Sequence, residues 1–138
     1  MKNIHASCVA YFKKGILIYG KSGLGKSDLC LRLIMDKGCN LVGDDRIDIY
    51  TRGAALKAKS VATIANMLEV RGVGLMKFEA QKSVAVKLAV ELVKSSSSIE
   101  RLPESEYFEY EGVKVRKIKI CAFEASAPDK IILALSQL

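Results

Sequence analysis

Hydrophobic positions near the start of the chain fall into two short runs. His5 to Phe12 and Gly15 to Tyr19 are apolar for most of their length, and Lys13-Lys14-Gly15 lies between them, which predicts two strands joined by a tight connection. Asp28-Leu29-Cys30-Leu31-Arg32-Leu33-Ile34-Met35 is helix-forming and stops at Gly38, and Asn40-Leu41-Val42-Gly43 predicts a further strand. Ile47, Ile49 and Tyr50 extend strand character beyond it. Ser60 caps a predicted short helix running through Leu68. Val84 to Val93 is an apolar strand, Ser95 to Ser98 a low-complexity loop, and Val113 to Ile120 alternates as a strand. Ser126 with Pro128 opens a terminal helix carrying Ile131, Ile132 and Leu135. No repeat or linker divides the pattern, so residues 1–138 are expected to form one mixed α/β domain.

Composition narrows the class. Hydrophobic residues make up 50% of the 138 and charged residues 27%, the balance of a globular protein rather than a disordered one. No apolar run approaches the roughly 20 residues that span a bilayer, and Met1-Lys2-Asn3-Ile4-His5 lacks the apolar stretch of a secretory signal, so a cytoplasmic location and no membrane partner are expected. Cys8, Cys30, Cys39 and Cys121 are irregularly spaced, with no C-x-x-C pair and one histidine, which indicates reduced, buried thiols rather than zinc or disulfides. The net charge of +7 suits an anionic ligand or an acidic partner. The basic residues are dispersed and not interleaved with aromatics, so nucleic acid is not expected to be the partner.

The stretch Gly20-Lys21-Ser22-Gly23-Leu24-Gly25-Lys26-Ser27 fits the phosphate-loop pattern G-x-x-x-x-G-K-S/T and lies between a predicted strand and a predicted helix. Its glycines allow backbone N–H groups to wrap an anion, and the helix N-terminus adds partial positive charge. Lys26 reaches the outer phosphates of a nucleotide, and the Ser27 hydroxyl can ligate magnesium. One helix later, Leu41-Val42-Gly43 ends in Asp44-Asp45. Phosphoryl transfer to a hydroxyl uses one group to hold the metal and one to accept the proton. Consecutive residues at a strand end point different ways, so the pair can divide those tasks. In Leu68-Glu69-Val70-Arg71-Gly72-Val73-Gly74, two glycines around one apolar residue mark backbone that approaches something closely or adopts positive φ. Glu69 and Arg71 there are opposite charges at close range, and on these residues alone a surface ion pair beside a turn is the simpler reading.

Together these residues resemble the catalytic domain of the HPr kinase/phosphorylase family. His5-Ala6-Ser7-Cys8-Val9 lies fifteen residues before GKSGLGKS, and Asp44-Asp45, LEVRGVG at 68–74 and Ile99-Glu100-Arg101-Leu102 follow in order. The resemblance implies a P-loop α/β domain with a mixed sheet, similar to the nucleotide-binding part of phosphoenolpyruvate carboxykinase. It implies ATP and Mg2+ as cofactors, and an HPr-like phosphocarrier protein, modified on a serine, as partner; a homo-oligomer is compatible with it. It makes Asp44 the proton acceptor and Lys26 the stabiliser of the transferring phosphoryl group. Ser27 and Glu69 would hold magnesium, His5 would sit in the active site, and Arg101 would add positive charge near the transferred group.

The long members of that family carry an extra N-terminal domain, so this chain resembles the short, catalytic-core members, and regulation through that domain is expected to be absent. Residues 121–128 contain no arginine or lysine where the family's phosphate-using reverse reaction needs one, so kinase activity is expected and phosphorylase activity is not. The alternative functions are a P-loop nucleotide-binding regulatory module and a small-molecule kinase without HPr as acceptor.

Overall fold

A computed structural model of the chain describes residues 1–61 and 66–138. The strands are β1 (Lys2–Ile4), β2 (Ala6–Tyr11), β3 (Lys14–Tyr19), β4 (Asn40–Gly43), β5 (Ile47–Arg52), β6 (Ala55–Ser60), β7 (Met67–Val70), β8 (Gly74–Lys77), β9 (Ser83–Leu92), β10 (Glu106–Tyr110) and β11 (Val113–Ile120). Helix α1 spans Lys26–Lys37 and helix α2 spans Ala127–Ser136.

The long apolar runs become the expected elements. Gly38 ends α1 in the left-handed conformation, at φ 72°, with its N–H on the Leu33 carbonyl. Two expectations differ, and strands β1, β6, β8 and β10 add to those expected. The helix from Ser60 through Leu68 is absent at both ends: Ser60 closes β6, while Met67 and Leu68 open β7, and residues 62–65 lie outside the described residues. Leu68 is buried against the helices by β-pairing, which overrides a local helical preference. Ser96–Ser98, expected as loop, winds into one 3-10 turn capped by the Ser95 hydroxyl. Strand β6, ALKAKS, was not foreseen, because alanine and lysine carry little strand propensity although Leu56 and Ala58 alternate inward.

One nine-stranded sheet runs in the order β1-β5-β6-β9-β3-β2-β4. Strand β9 lies at its centre: β3 runs parallel along one side, while β6 and then β11 share the other, with β10 paired outside β11. Strands β7 and β8 form a separate hairpin. Helices α1 and α2 cover one face, where Ile16, Ile18, Leu29, Leu33, Leu88, Val90 and Ile131 pack together. The other face closes over Leu17, Val42, Ile47, Ile49, Leu56 and Val86.

Val86 and Leu88 share the same parity along β9 yet enter different cores. The register explains it. Gly15 faces Val86 and Ile16 faces Leu88, so Lys87 is passed over as a bulge and the strand turns its faces over. Gly15 is required there: a Cβ would lie 2.6 Å from Val84 Cγ1 and 2.8 Å from the Ala85 carbonyl oxygen. Because β3, β9 and β11 are parallel, and β4 runs antiparallel to β2 as β3 does, the ends of β3, β4, β9 and β11 share one sheet edge with the start of β2. Ligands of open α/β sheets bind at such an edge.

Candidate active site

The loop leaving β3 is built for an anion. Gly20, Gly23 and Gly25 hold φ values of 152°, 85° and 90°, conformations that side chains rarely adopt, and the space beside Gly23 is open. Gly25 caps α1 with no side-chain acceptor, so the first N–H groups of the helix have no side-chain partner. Lys26 folds back under the loop: its Nζ donates to the Gly20 carbonyl at 3.0 Å and more weakly to Lys21 at 3.5 Å. Lys26 and Ser7 are the buried polar or charged residues among those described, and both belong to this site.

The two aspartates part company at the end of β4. Asp45 takes φ 68° and the Arg46 N–H donates to the Asp44 carbonyl at 2.8 Å, so the backbone reverses between them. Such strain is found preferentially at functional sites. The Asp44 carboxylate turns inward. It accepts from the Ser27 hydroxyl at 2.9 Å and from the Ser7 hydroxyl at 2.5 Å. Asp45 lines the cleft, with its side chain 67% exposed and one oxygen 2.6 Å from His5 Nε2. Ser7 also accepts from the Asp45 N–H at 3.3 Å, tying both aspartates to β2. Burial first, and then the Asp44 carboxylate, hold the neighbouring Cys30 thiol well above its ordinary pKa.

A cleft of about 550 Å³ collects these groups. His5, Lys26, Ser27, Asp45 and Glu69 line it, with Arg71 from the β7–β8 turn and Phe123 from the turn after β11. Glu69 is exposed on β7, and no ion pair joins it to Arg71 among the described residues. Gly72 and Gly74 adopt φ 88° and 124°, and a Cβ at Gly72 would meet nothing within 4 Å, so the first serves the hairpin turn rather than a close approach. Arg101 lies on an exposed stretch between β9 and β10 and does not line the cleft. Among the described residues no group of three or more His, Cys, Asp or Glu side chains gathers to hold a metal. Ser27 and Glu69 offer two oxygen ligands, and magnesium held there would take the rest of its octahedral shell from phosphate oxygens and water.

Two participants escaped sequence reasoning. Ser7 had a signal, as the one aliphatic hydroxyl in the otherwise apolar β2. Arg32 had none: from α1 it donates through Nη1 to the Glu124 carbonyl at 3.3 Å and through Nη2 to the Ala122 carbonyl, contacts that depend on α1 packing beside the end of β11.

The family model for the HPr Serine kinase C-terminal domain matches residues 1–136. The chain belongs to this family. An HPr kinase/phosphorylase of Leptothrix cholodnii is 39% identical over 118 residues, and one of Cupriavidus necator is 37% identical over 116; each match covers 77% of this chain and 36% of the relative. For the HPr kinase/phosphorylase of Clostridium kluyveri the identity is 33% over 127 residues, covering 85% of this chain and 41% of the relative. The chain thus spans little more than a third of the length of the curated relatives it matches. The solved HPr(Ser) kinase/phosphatase of Coxiella burnetii superposes with a TM-score of 0.82 at 26% identity, covering 99% of this chain and 95% of that one. The HPr kinase family fold is therefore that of this chain, an α/β P-loop domain on a mixed sheet. No helix among the described residues is long and apolar enough to cross a membrane.

Proposed function

We propose that this protein is an ATP-dependent serine kinase acting on an HPr-type phosphocarrier. The observation that carries the reading is one cleft in which the Lys26 loop meets an exposed carboxylate, Asp45, paired with His5. Sequence resemblance assigned the proton acceptor to Asp44; the geometry favours Asp45. Asp44 already accepts two hydroxyls and faces the loop, whereas Asp45 is open to an incoming serine. In this scheme the loop N–H groups and Lys26 grip the nucleotide phosphates. Ser27, oriented by Asp44, and Glu69 would hold magnesium, which when bound neutralises part of the phosphate charge. The acceptor serine loses its proton to the Asp45 carboxylate as its oxygen bonds to the γ-phosphorus; the bond from that phosphorus to the β–γ bridging oxygen breaks, and ADP leaves. His5 orients Asp45 and stabilises it while it is charged. Little covalent help is needed beyond positioning and charge. The exposed Arg101 segment has no part in it.

Transfer in the forward direction alone is part of the proposal. The reverse reaction needs an uncommitted cation for inorganic phosphate. Two cations that contact residues 122–124 are committed: Arg32 to Asp28 and two carbonyls, Lys130 to Glu124 at 3.3 Å. A cytoplasmic location follows from the acceptor. The experiment is incubation with γ-labelled ATP, magnesium and purified HPr-type protein, followed by mapping of the label. The expected result is one labelled serine, and phosphorylated acceptor that survives magnesium with inorganic phosphate. Label appearing only on small molecules would favour the small-molecule kinase, and pyrophosphate release at a rate matching the forward reaction would refute the one-way reading.

A further inference from the structure

The turn after β11 places an aromatic ring where phosphate and serine chemistry have no use for one. Phe123 is 64% exposed and lines the cleft beside the loop, close enough that a Cβ on Gly25 would come within 3.3 Å of its Cε1. The ring is exposed, but its backbone is held firmly. Cys121 and Ala122 before it are buried, the Glu124 N–H donates to the Cys121 carbonyl at 3.2 Å, and the Ala127 N–H donates to the Glu124 carbonyl at 3.1 Å.

The carbonyls on either side of Phe123, of Ala122 and Glu124, are both taken by the Arg32 guanidinium, which Asp28 steadies through Nε at 3.0 Å. A planar fork suits two acceptors at once, and a lysine would not replace it. Strand order supplies the direction. Strands β3, β9 and β11 are parallel neighbours, so the phosphate loop after β3 and the Phe123 turn after β11 rise from the same sheet edge, with β9 between them.

We propose that Phe123 is the platform on which the base of the bound nucleotide stacks, and that Arg32 is the positioning residue that holds the platform in place. The inference rests on the nucleotide reading of the P-loop and adds the subsite for the base. A purine presents a flat π-face, and an aromatic side chain offers the matching surface without reading hydrogen-bond donors or acceptors.

The test separates base from phosphate. Titration calorimetry with ADP and with inorganic tripolyphosphate, both with magnesium, compares the wild-type protein with Phe123→Ala. ADP affinity is expected to fall roughly five- to hundredfold, with tripolyphosphate changed by less than about twofold, the scale of lost base stacking. The chain contains no tryptophan, so Phe123→Trp introduces a single indole at the platform, whose emission is excited selectively apart from the five tyrosines. Its fluorescence is expected to be quenched by ADP and not by tripolyphosphate. With Arg32→Gln added, the same quenching should require several times more ADP while tripolyphosphate affinity holds, an outcome that general loosening of the loop would not give. Loss of neither ligand in Phe123→Ala, equal loss of both, or a tryptophan indifferent to ADP would each overturn the platform. Wild-type protein that binds neither ligand would overturn the P-loop reading itself, and this inference with it.

Discussion

Asp44 and Asp45 are adjacent in sequence but face different surroundings, and the difference comes from one residue's backbone. With Asp45 at φ 68°, one carboxylate meets Ser7 and Ser27 and the other meets the cleft and His5. Asp45→Asn is therefore expected to bind nucleotide normally and to lose roughly a hundredfold or more in transfer rate, the usual range for a missing general base. Asp44→Asn should instead weaken nucleotide and magnesium binding, since Ser27 would lose the charge that orients its hydroxyl. Single-turnover rates and ADP titrations of both variants check the division; a fully active Asp45→Asn would return the base to Asp44. That one member of this pair faces the cleft was legible in sequence. Which member it is depends on Ser7, 37 residues from Asp44, and on a φ that no local pattern announces.

Among elements, β3 with α1 was the most legible, because a glycine loop and a helix stop are local properties. The bulge in β9 was not. It appears only when Gly15 meets Val86 while Ile16 meets Leu88, and it decides which residues of β9 face the helices. Gly15→Ala is expected to destabilise the protein by about 1–3 kcal/mol, the usual scale of overpacking, because the contact at 2.8 Å is with backbone that cannot turn aside. Urea unfolding would register this as a lower midpoint with an unchanged slope. Gly23→Ala meets no neighbour within 4 Å, so its effect should come from φ 85° alone and fall on ligand binding as well as stability. Equal midpoints for Gly15→Ala and wild type would mean that β9 can shift without its bulge.

At the scale of the whole molecule, the thiols are sealed between the sheet and its covering layers. Burial pushes Cys8 from 9.0 up to about 12 and Cys39 up to about 11, and burial with the Asp44 charge holds Cys30 well above its ordinary value. A thiol whose folded pKa is raised keeps its proton when the unfolded chain has lost it. The stability these groups contribute is fully present below about pH 9 and is lost as pH rises toward 11 to 12. Urea midpoints measured at pH 7.5 and again near pH 10.5 should fall, and native Cys8 and Cys30 should resist thiol reagents at pH 8 that modify the unfolded chain at once. A flat midpoint across that range, with rapid native labelling, would show that the thiols are not sealed.

The order strand, glycine loop, helix, acidic pair was determined by sequence alone, because positive-φ glycines, helix stops and the lysine–serine end of the loop act within a few residues of one another. Tertiary structure decided everything that joins distant segments. His5 meets Asp45 across 40 positions, Arg32 clamps the Phe123 turn across 90, and Arg101 stays outside the cleft despite its place in the motif order. Those contacts follow from sheet order and register, in which β2 lies between β3 and β4 and β11 joins β9 beyond the bulge. A local pattern sets the direction and face of each strand; which strands become neighbours is set by the burial of all of them together, a property of the whole chain.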